Sequence, residues 1–375
     1  MKSVKCLLPL LFLVAVLFCG CTSREEKKIE EVIKRELDLL KNLDSDTTQK
    51  YLSYQELFED GTKDEAQSAT IEEVFSLFFQ EFDYKILDIN VDKDKNTAQA
   101  DLRLVTLDAG SLAKDFSAEQ LKKEITQAAT GQTEDTGLTV SVEERYKILD
   151  DLLKSKDYQT VERSCTITLT ASSDDTEDNW EIKRTYSLEN DLVGGLMTYL
   201  TDPDILPPED TLLIYLDTLK NMTTEELGNY LNTDSIISTE DPAKIQLAQA
   251  LVEQVYSCFD YEVKDTTVSG YHASVKVDIT TFDSDAILDS YQKELDTYLA
   301  SADAVIDGSQ KRYETSYQML LDTIEANKAK KTVETTFNLI NDGASWKLDD
   351  AGIVFGEALF GTLSTNPVAE ESADK

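Results

Sequence analysis

The sequence predicts an α+β protein made of two tandem copies of one unit. In each copy, helices pack on a curved antiparallel four-stranded sheet, with a helical insertion between its two hairpins. Three observations predict this. One stretch is written twice, as LDLLKNLDSDTTQKYL at 37–52 and LDTLKNMTTEELGNYL at 216–231. In both copies, helical periodicity then gives way in the same order to segments that alternate every second residue. The only two tryptophans, Trp180 and Trp346, each precede a charged–aliphatic pair, Glu181-Ile182 and Lys347-Leu348.

The repeat runs well beyond that stretch. Leu37/Leu216, Asp38/Asp217, Leu40/Leu219, Lys41/Lys220, Asn42/Asn221, Tyr51/Tyr230 and Leu52/Leu231 fall 179 positions apart. FDYKILD at 82–88 returns as FDYEVKD at 259–265, and TVE at 160–162 as TVE at 332–334. The offset shrinks to 166 at the tryptophans, so the copies differ by small loop changes in one unchanging order. Such an offset far exceeds the period of about 20–50 residues of solenoid repeats, which marks a duplicated domain. The expected organisation is a signal segment at 1–20, a first repeat at 21–200, a linker at 201–209, a second repeat at 210–363 and a disordered tail at 364–375. The stretch LTDPDILPPED at 200–210 holds Pro203, Pro207 and Pro208, which argues for a stiff linker. STNPVAEESADK at 364–375 is too polar to bury a core.

Copy one begins with a predicted helix over 24–43. Ile29, Val32, Ile33, Leu37, Leu40 and Leu43 recur there at three- and four-residue steps. Asp46 or Thr47 is placed to cap a short second helix carrying Tyr51, Leu52 and Leu57. A third helix over 70–81 presents Ile71, Val74, Phe75, Phe78 and Phe79. Copy two repeats the set near 209–221, 224–231 and 242–257. A hairpin follows in each. Val275, Val277, Ile279 and Thr281 alternate with Lys276, Asp278 and Thr280, and Ala100, Leu102, Leu104 and Thr106 hold the aligned positions. A period of two with one polar face means antiparallel strands buried on one side. Helical insertions then span 111–155 and 284–329, with turns at 131–138 and 307–309. In the closing hairpin Cys165, Ile167 and Leu169 share one face, and Trp180, Ile182 and Tyr186 lie on the last strand.

Composition narrows the function. Net charge is −37, and removing residues 1–20 would leave −39. A phosphate backbone repels such a surface, so no nucleic-acid partner is expected. An anionic bilayer repels it too, so membrane attachment needs a separate device. The N-terminus supplies one. Lys2 and Lys5 precede an apolar stretch of 12 residues, Leu7 to Phe18, too short to span a bilayer as a mature helix. It ends in Phe-Cys-Gly-Cys at 18–21, which resembles the lipobox of bacterial lipoproteins, cut before Cys21. Cleavage before Cys19 would leave bulky Phe18 at the cut site, which favours Cys21. The resemblance implies a diacylglyceryl group on Cys21 and a protein anchored at the extracytoplasmic face of the membrane.

The order of elements, a first helix ending in Leu-Lys-Asn, a hairpin opened by Phe-Asp-Tyr and a tryptophan-bearing last hairpin resemble the nuclear-transport-factor-2-like or cystatin-like α+β roll, as in tandem bacterial lipoproteins of that type. That resemblance implies a cavity in each sheet. Asp83-Tyr84 and Asp260-Tyr261, with Trp180 and Trp346, are its candidate ligand residues. The alternative is a dehydratase- or isomerase-like enzyme with Asp as general base and Tyr as oxyanion donor. The expectation is a non-enzymatic protein that binds a small ligand or another envelope protein, without cofactor. His272 is the only histidine and stands in a hairpin turn, which leaves no basis for a zinc site. Asp92-Lys93-Asp94-Lys95-Asn96 begins like a calcium loop but has Thr97 and Arg103 where that loop needs Gly and Glu. Asp174 to Asn179 reads as an acidic turn between strands, and Lys41-Asn42 and Lys220-Asn221 as helix C-terminal partners. Cys165 and Cys258 read as unpaired, with Cys165 in the core.

Overall fold

Alternation decides the sheets. In the computed structural model, which describes residues 24–52, 57–58, 69–130, 140–171, 180–231, 242–349 and 351–363, strand β2 (Thr97–Leu107) buries Ala98, Ala100, Leu102, Leu104 and Thr106 to 1% exposure or less. Gln99, Asp101 and Arg103 between them face solvent. β2 pairs antiparallel with β1 (Asp83–Asp92) and with β3 (Thr160–Ala171), and β3 pairs with β4 (Trp180–Ile182). The second sheet has the same order: β5 (Asp260–Ser269), β6 (His272–Phe282), β7 (Lys330–Asn341) and β8 (Trp346–Leu348). Each first strand carries one bulge, at Leu87 in β1 and at the aligned Lys264 in β5. An extra residue on one side of a ladder bends the strand and raises its twist. The expected α+β architecture of two helix-covered four-stranded sheets is therefore the observed one.

The helices cover the apolar faces. Helix α1 (Arg24–Lys41) buries Ile29, Val32, Ile33, Leu37 and Leu40 and packs on β1 and β4. α2 (Ser45–Tyr51) is capped by Asp44, not by Asp46 or Thr47, and the Asp44 carboxylate accepts the Thr47 N–H at 2.9 Å. The cap sits two residues earlier than expected because Leu43, in a left-handed conformation at φ 61°, ends α1 abruptly. α3 (Ala69–Phe79) precedes the first hairpin. The insertion of copy one forms α4 (Ala109–Thr130) and α5 (Val142–Ser155), and its expected turn at 131–138 lies outside the described residues. After β4 come two helices that periodicity did not indicate, α6 (Tyr186–Leu192) and α7 (Leu196–Leu200). Tyr186 is thus not a strand residue. Thr185 caps α6 by accepting the Leu188 N–H, and Tyr186 in its first turn is 59% exposed.

The second copy follows with α8 (Pro208–Asn221), α9 (Thr224–Tyr230) and α10 (Pro242–Cys258). A capping box closes α9, with Thr223 and Glu226 satisfying one another's backbone N–H. The second insertion has three helices where two were expected: α11 (Ser284–Leu299), α12 (Ala302–Ile306) and α13 (Ser309–Ala326). Ser301 caps α12 by accepting the Ala304 N–H, so the chain turns before 307 as well as at it. α14 (Ala351–Phe360) lies beyond β8 and packs Phe355 on Phe337.

The structure divides into two compact units, one within Met1–Leu112 and Leu149–Tyr199, the other within Ala113–Ile148 and Leu200–Lys375. Most of the α4–α5 insertion therefore belongs with the second sheet, and Ile125 and Ala129 sit in that sheet's core.

In the first unit, the turn after α6 contains Gly194, at φ +65°, where a Cβ would lie 2.8 Å from Thr106 Oγ1 and 3.0 Å from the Leu107 carbonyl. Gly194→Ala is expected to destabilise the protein by about 1–3 kcal/mol, through the left-handed backbone and the clash together. Gly356, inside α14 with open space around it, gives the opposite sign: Gly356→Ala should stabilise by about 0.5–1 kcal/mol through helix propensity. Shifts of the urea unfolding midpoint measure both.

Candidate functional site

The repeated polar residues do not converge on a reaction centre; they join each first helix to the strand beneath it. Asp38 and Lys41 stand one turn apart on α1. Lys41 Nζ reaches Asp83 Oδ1 at 2.8 Å, and the Tyr84 hydroxyl donates to Asp38 Oδ1 at 2.7 Å. In the second unit Lys220 Nζ reaches Asp260 Oδ1 at 2.8 Å and the Tyr261 hydroxyl donates to Asp217. Adjacent strand residues alternate in direction, so Asp83 and Asp260 are exposed while Tyr84 and Tyr261 lie half-buried against Phe82 and Phe259. The lysine ammonium, with a backbone N–H from the next residue, holds each Asp carboxyl below the usual carboxylate range. Burial pushes both tyrosine hydroxyls up, and the carboxylates they bond push them further. An exposed carboxylate with a lowered pKa is a poor general base at neutral pH. Lys41 and Lys220 thus act across elements, where the sequence indicated only helix ends.

The two tryptophans close the last hairpins and differ in what they touch. Trp180 Nε1 donates to Glu25 of α1 at 3.5 Å, a marginal contact. Trp346 Nε1 donates to Asp204 at 2.8 Å, and the same carboxylate oxygen accepts from Asn341 Nδ2 at 3.2 Å. Asn341 also donates to the Pro203 carbonyl at 3.3 Å. The segment read as a linker is therefore tied to the β7–β8 hairpin.

Beside this knot, within the second unit, lies a cavity of about 210 Å³ lined by residues that include Ser117, Gln120, Glu124, Asp202, Leu206 and Trp346. Of the candidate ligand residues, Trp346 is the one this cavity uses. Burial pushes the Glu124 carboxyl up, partly offset by the hydrogen bond from Gln120 Nε2 at 3.1 Å. Burial likewise raises the nearby Tyr215 hydroxyl, and the charge of Glu124 adds to it. Glu124 and Asp202 escaped the sequence reading because the cavity draws on α4, the 200–206 segment and β8, which are far apart in the chain. No local spacing joins them.

Other candidates fall outside a site. His272 is exposed at the start of β6. Asp92 accepts the Lys95 N–H at 3.2 Å, as a hairpin turn requires. Asp174 to Asn179 and Cys21 lie outside the described residues. Cys165 and Cys258 are free and buried, and burial beside Asp191 pushes the Cys165 thiol up to about 12. Among the described residues no group of three or more His, Cys, Asp or Glu side chains could hold a metal ion, and no helix is long and apolar enough to cross a membrane.

Comparison with protein-family models and with curated proteins gives no match. Among solved structures, the ycdA candidate lipoprotein of Bacillus subtilis aligns over 74% of this chain and 96% of its own, at 13% identity and a TM-score of 0.25. That similarity shows neither a common fold nor a common function.

The helix–strand clamps make a testable pair. Lys41→Met should raise the Asp83 titration midpoint toward that of an ordinary carboxyl, and Lys220→Met should do the same for Asp260, read by side-chain carboxyl NMR. The wild-type midpoints lie below the unfolded value, so this stabilisation is present above about pH 4 and fades as pH falls through the folded midpoint. Tyr261→Phe should cost about 1 kcal/mol, the net worth of a half-exposed hydrogen bond to a carboxylate.

Proposed function

We propose that this chain is a lipid-anchored protein of the bacterial cell envelope. Cys21 holds it at the extracytoplasmic face, and it binds a small ligand in the second unit without catalysing a reaction. The observation that carries the anchor is the N-terminal sequence: two lysines, an apolar stretch too short to span, and Phe-Cys-Gly-Cys at 18–21. Two acyl chains on Cys21, at about 0.8 kcal/mol per buried CH₂, give firm attachment where one chain would be marginal. Such an anchor offsets the repulsion between an acidic protein and an anionic bilayer.

Binding rather than catalysis is supported by how the Asp–Tyr pairs are used. Both are engaged in the same helix–strand clamp, whose chemistry is that of fixing a fold. The cavity beside Trp346 is concave and of mixed polarity, and its volume of about 210 Å³ suits a ligand smaller than those that fill pockets of roughly 300–1,000 Å³. Each unit keeps the helix-on-sheet order of the roll to which its sequence bears a resemblance, and the roll reading is part of this proposal.

One surface favours a second reading, docking of an envelope protein. Around α12 in the second insertion, Leu299, Val305 and Ile306 are 52%, 83% and 81% exposed. Isolated exposed aliphatics are ordinary, but these three stand within eight residues of chain on one short segment.

Cys21→Ala is expected to move the protein from the membrane fraction to the soluble fraction, read by sedimentation of cell lysates. A mutant that still sediments with membranes would overturn the anchor. Native mass spectrometry of the protein after incubation with its own envelope extract separates the two binding readings, through an added mass of small-molecule or of protein size.

A further inference from the structure

We propose that the cavity beside Trp346 takes a small organic cation, its ammonium group set against Glu124 and Asp202 and its hydrocarbon part against Leu206 and the indole ring. This rests on the ligand-binding reading above and names the class of ligand.

Charge decides first. Glu124 and Asp202 are the ionisable side chains in the lining, which among the described residues includes no lysine or arginine. Two cations outside the lining, Lys347 and Arg145, draw the Glu124 carboxyl down without outweighing its burial, and the Lys347 Nζ is paired with Asp342. An anion would meet two carboxylates at close range. A neutral ligand without O–H or N–H donors would displace water from both without replacing the lost hydrogen bonds, and one with donors would leave their charge uncompensated. A cation is the class whose binding offsets that desolvation.

Geometry agrees. Asp202 Oδ1 accepts the Asp204 N–H at 3.0 Å, so a backbone hydrogen bond positions that carboxylate. Gln120 donates to Glu124 Oε1, which leaves the second oxygen of Glu124 for a ligand. Trp346 spends its only donor on Asp204, so it offers the cavity its ring. An aromatic ring beside carboxylates is the recurrent chemistry of ammonium recognition. Size sets the rest. About 210 Å³ corresponds to some seven waters at roughly 30 Å³ each, room for one ammonium head and a short carbon chain. The acidic surface of the whole chain, at −37, would raise the local cation concentration.

The test uses the full chain in detergent with Trp180→Phe, which leaves Trp346 as the sole tryptophan. Choline, putrescine, the uncharged choline isostere 3,3-dimethyl-1-butanol and acetate are titrated while tryptophan emission and heat are followed. A saturable response to choline or putrescine is expected, with the isostere and acetate at least about tenfold weaker. Glu124→Gln, which keeps the shape of the side chain, should weaken the cation about tenfold or more, while Asp92→Asn in the first hairpin should leave it unchanged. Equal binding of the isostere, an unchanged Glu124→Gln variant, or no saturable response to either cation would overturn the proposal. An anionic or neutral ligand recovered from envelope extract and lost in Trp346→Phe would overturn the cation alone and leave ligand binding standing. Absence of both that ligand and any cation response would sink the two readings together.

Discussion

A four-stranded antiparallel sheet with one apolar face is unstable until something covers that face, and in each unit the cover must arrive in one register. The inward row of β2 is nearly sealed from water, and so is its counterpart on β6, where Ala273, Val275, Val277 and Ile279 are buried. A helix lying on such a face could slide by a turn at modest cost in apolar contact alone. The Asp38–Tyr84 and Lys41–Asp83 contacts, and the matching pair in the second unit, remove that freedom. They lock two successive strand residues, which point to opposite sides, to two helix residues one turn apart. Only one register satisfies both. Their energetic worth is small, since exposed ion pairs contribute about 0–1 kcal/mol. Their worth in specificity is larger, because every alternative placement leaves four polar groups without these partners.

How much of this was legible follows from the range of the interactions. The strands were readable because alternation is local: each inward residue of β2 and β6 could be named two residues from the next. The first helices were readable for the same reason. The partners of the repeated Asp and Lys were not, because they lie 40 to 46 residues away. Repetition showed that those letters belonged together, yet only the fold shows that they form a bridge. Tyr186 was misplaced because it stands an even number of residues beyond Trp180 and Ile182, while the Thr185 cap that begins α6 depends on backbone geometry. α12 was missed because five residues between two capping turns are too few to display a period. The cavity was the least legible feature, since its walls come from three separate parts of the chain.

The duplication separates structure from function. Residues that recur at the same place in both copies are those whose work is the same in both: the clamp, the inward rows, the bulge after Ile86 and Val263, the threonine near the end of the second strand. That threonine shows how closely the copies track one another. Thr281 donates to the Leu359 carbonyl of α14, and the aligned Thr106 meets the turn at Gly194 after α6. The chain after the last strand returns to the same point in each unit by a different sequence.

What differs between the copies is where a unique task belongs. Trp180 makes a marginal contact with a helix of its own unit, whereas Trp346 is fastened through Asp204 to the segment that enters the second unit. That fastening gives the 200–206 segment a fixed path. The fixed path, with α4 on one side and β8 on the other, leaves the cavity between them. Glu124 lies there because the second unit includes most of the first copy's insertion, and Asp202 because the 200–206 segment belongs to that unit. The proposed site draws on the insertion of one copy and the last hairpin of the other, so neither copy alone would rebuild it. The repeated Asp–Tyr pairs invite a search for chemistry by their recurrence, but in both units their tyrosines are spent on the same bond from strand to helix. The carboxylates beside the firmly tied Trp346 are the better place to test for a ligand.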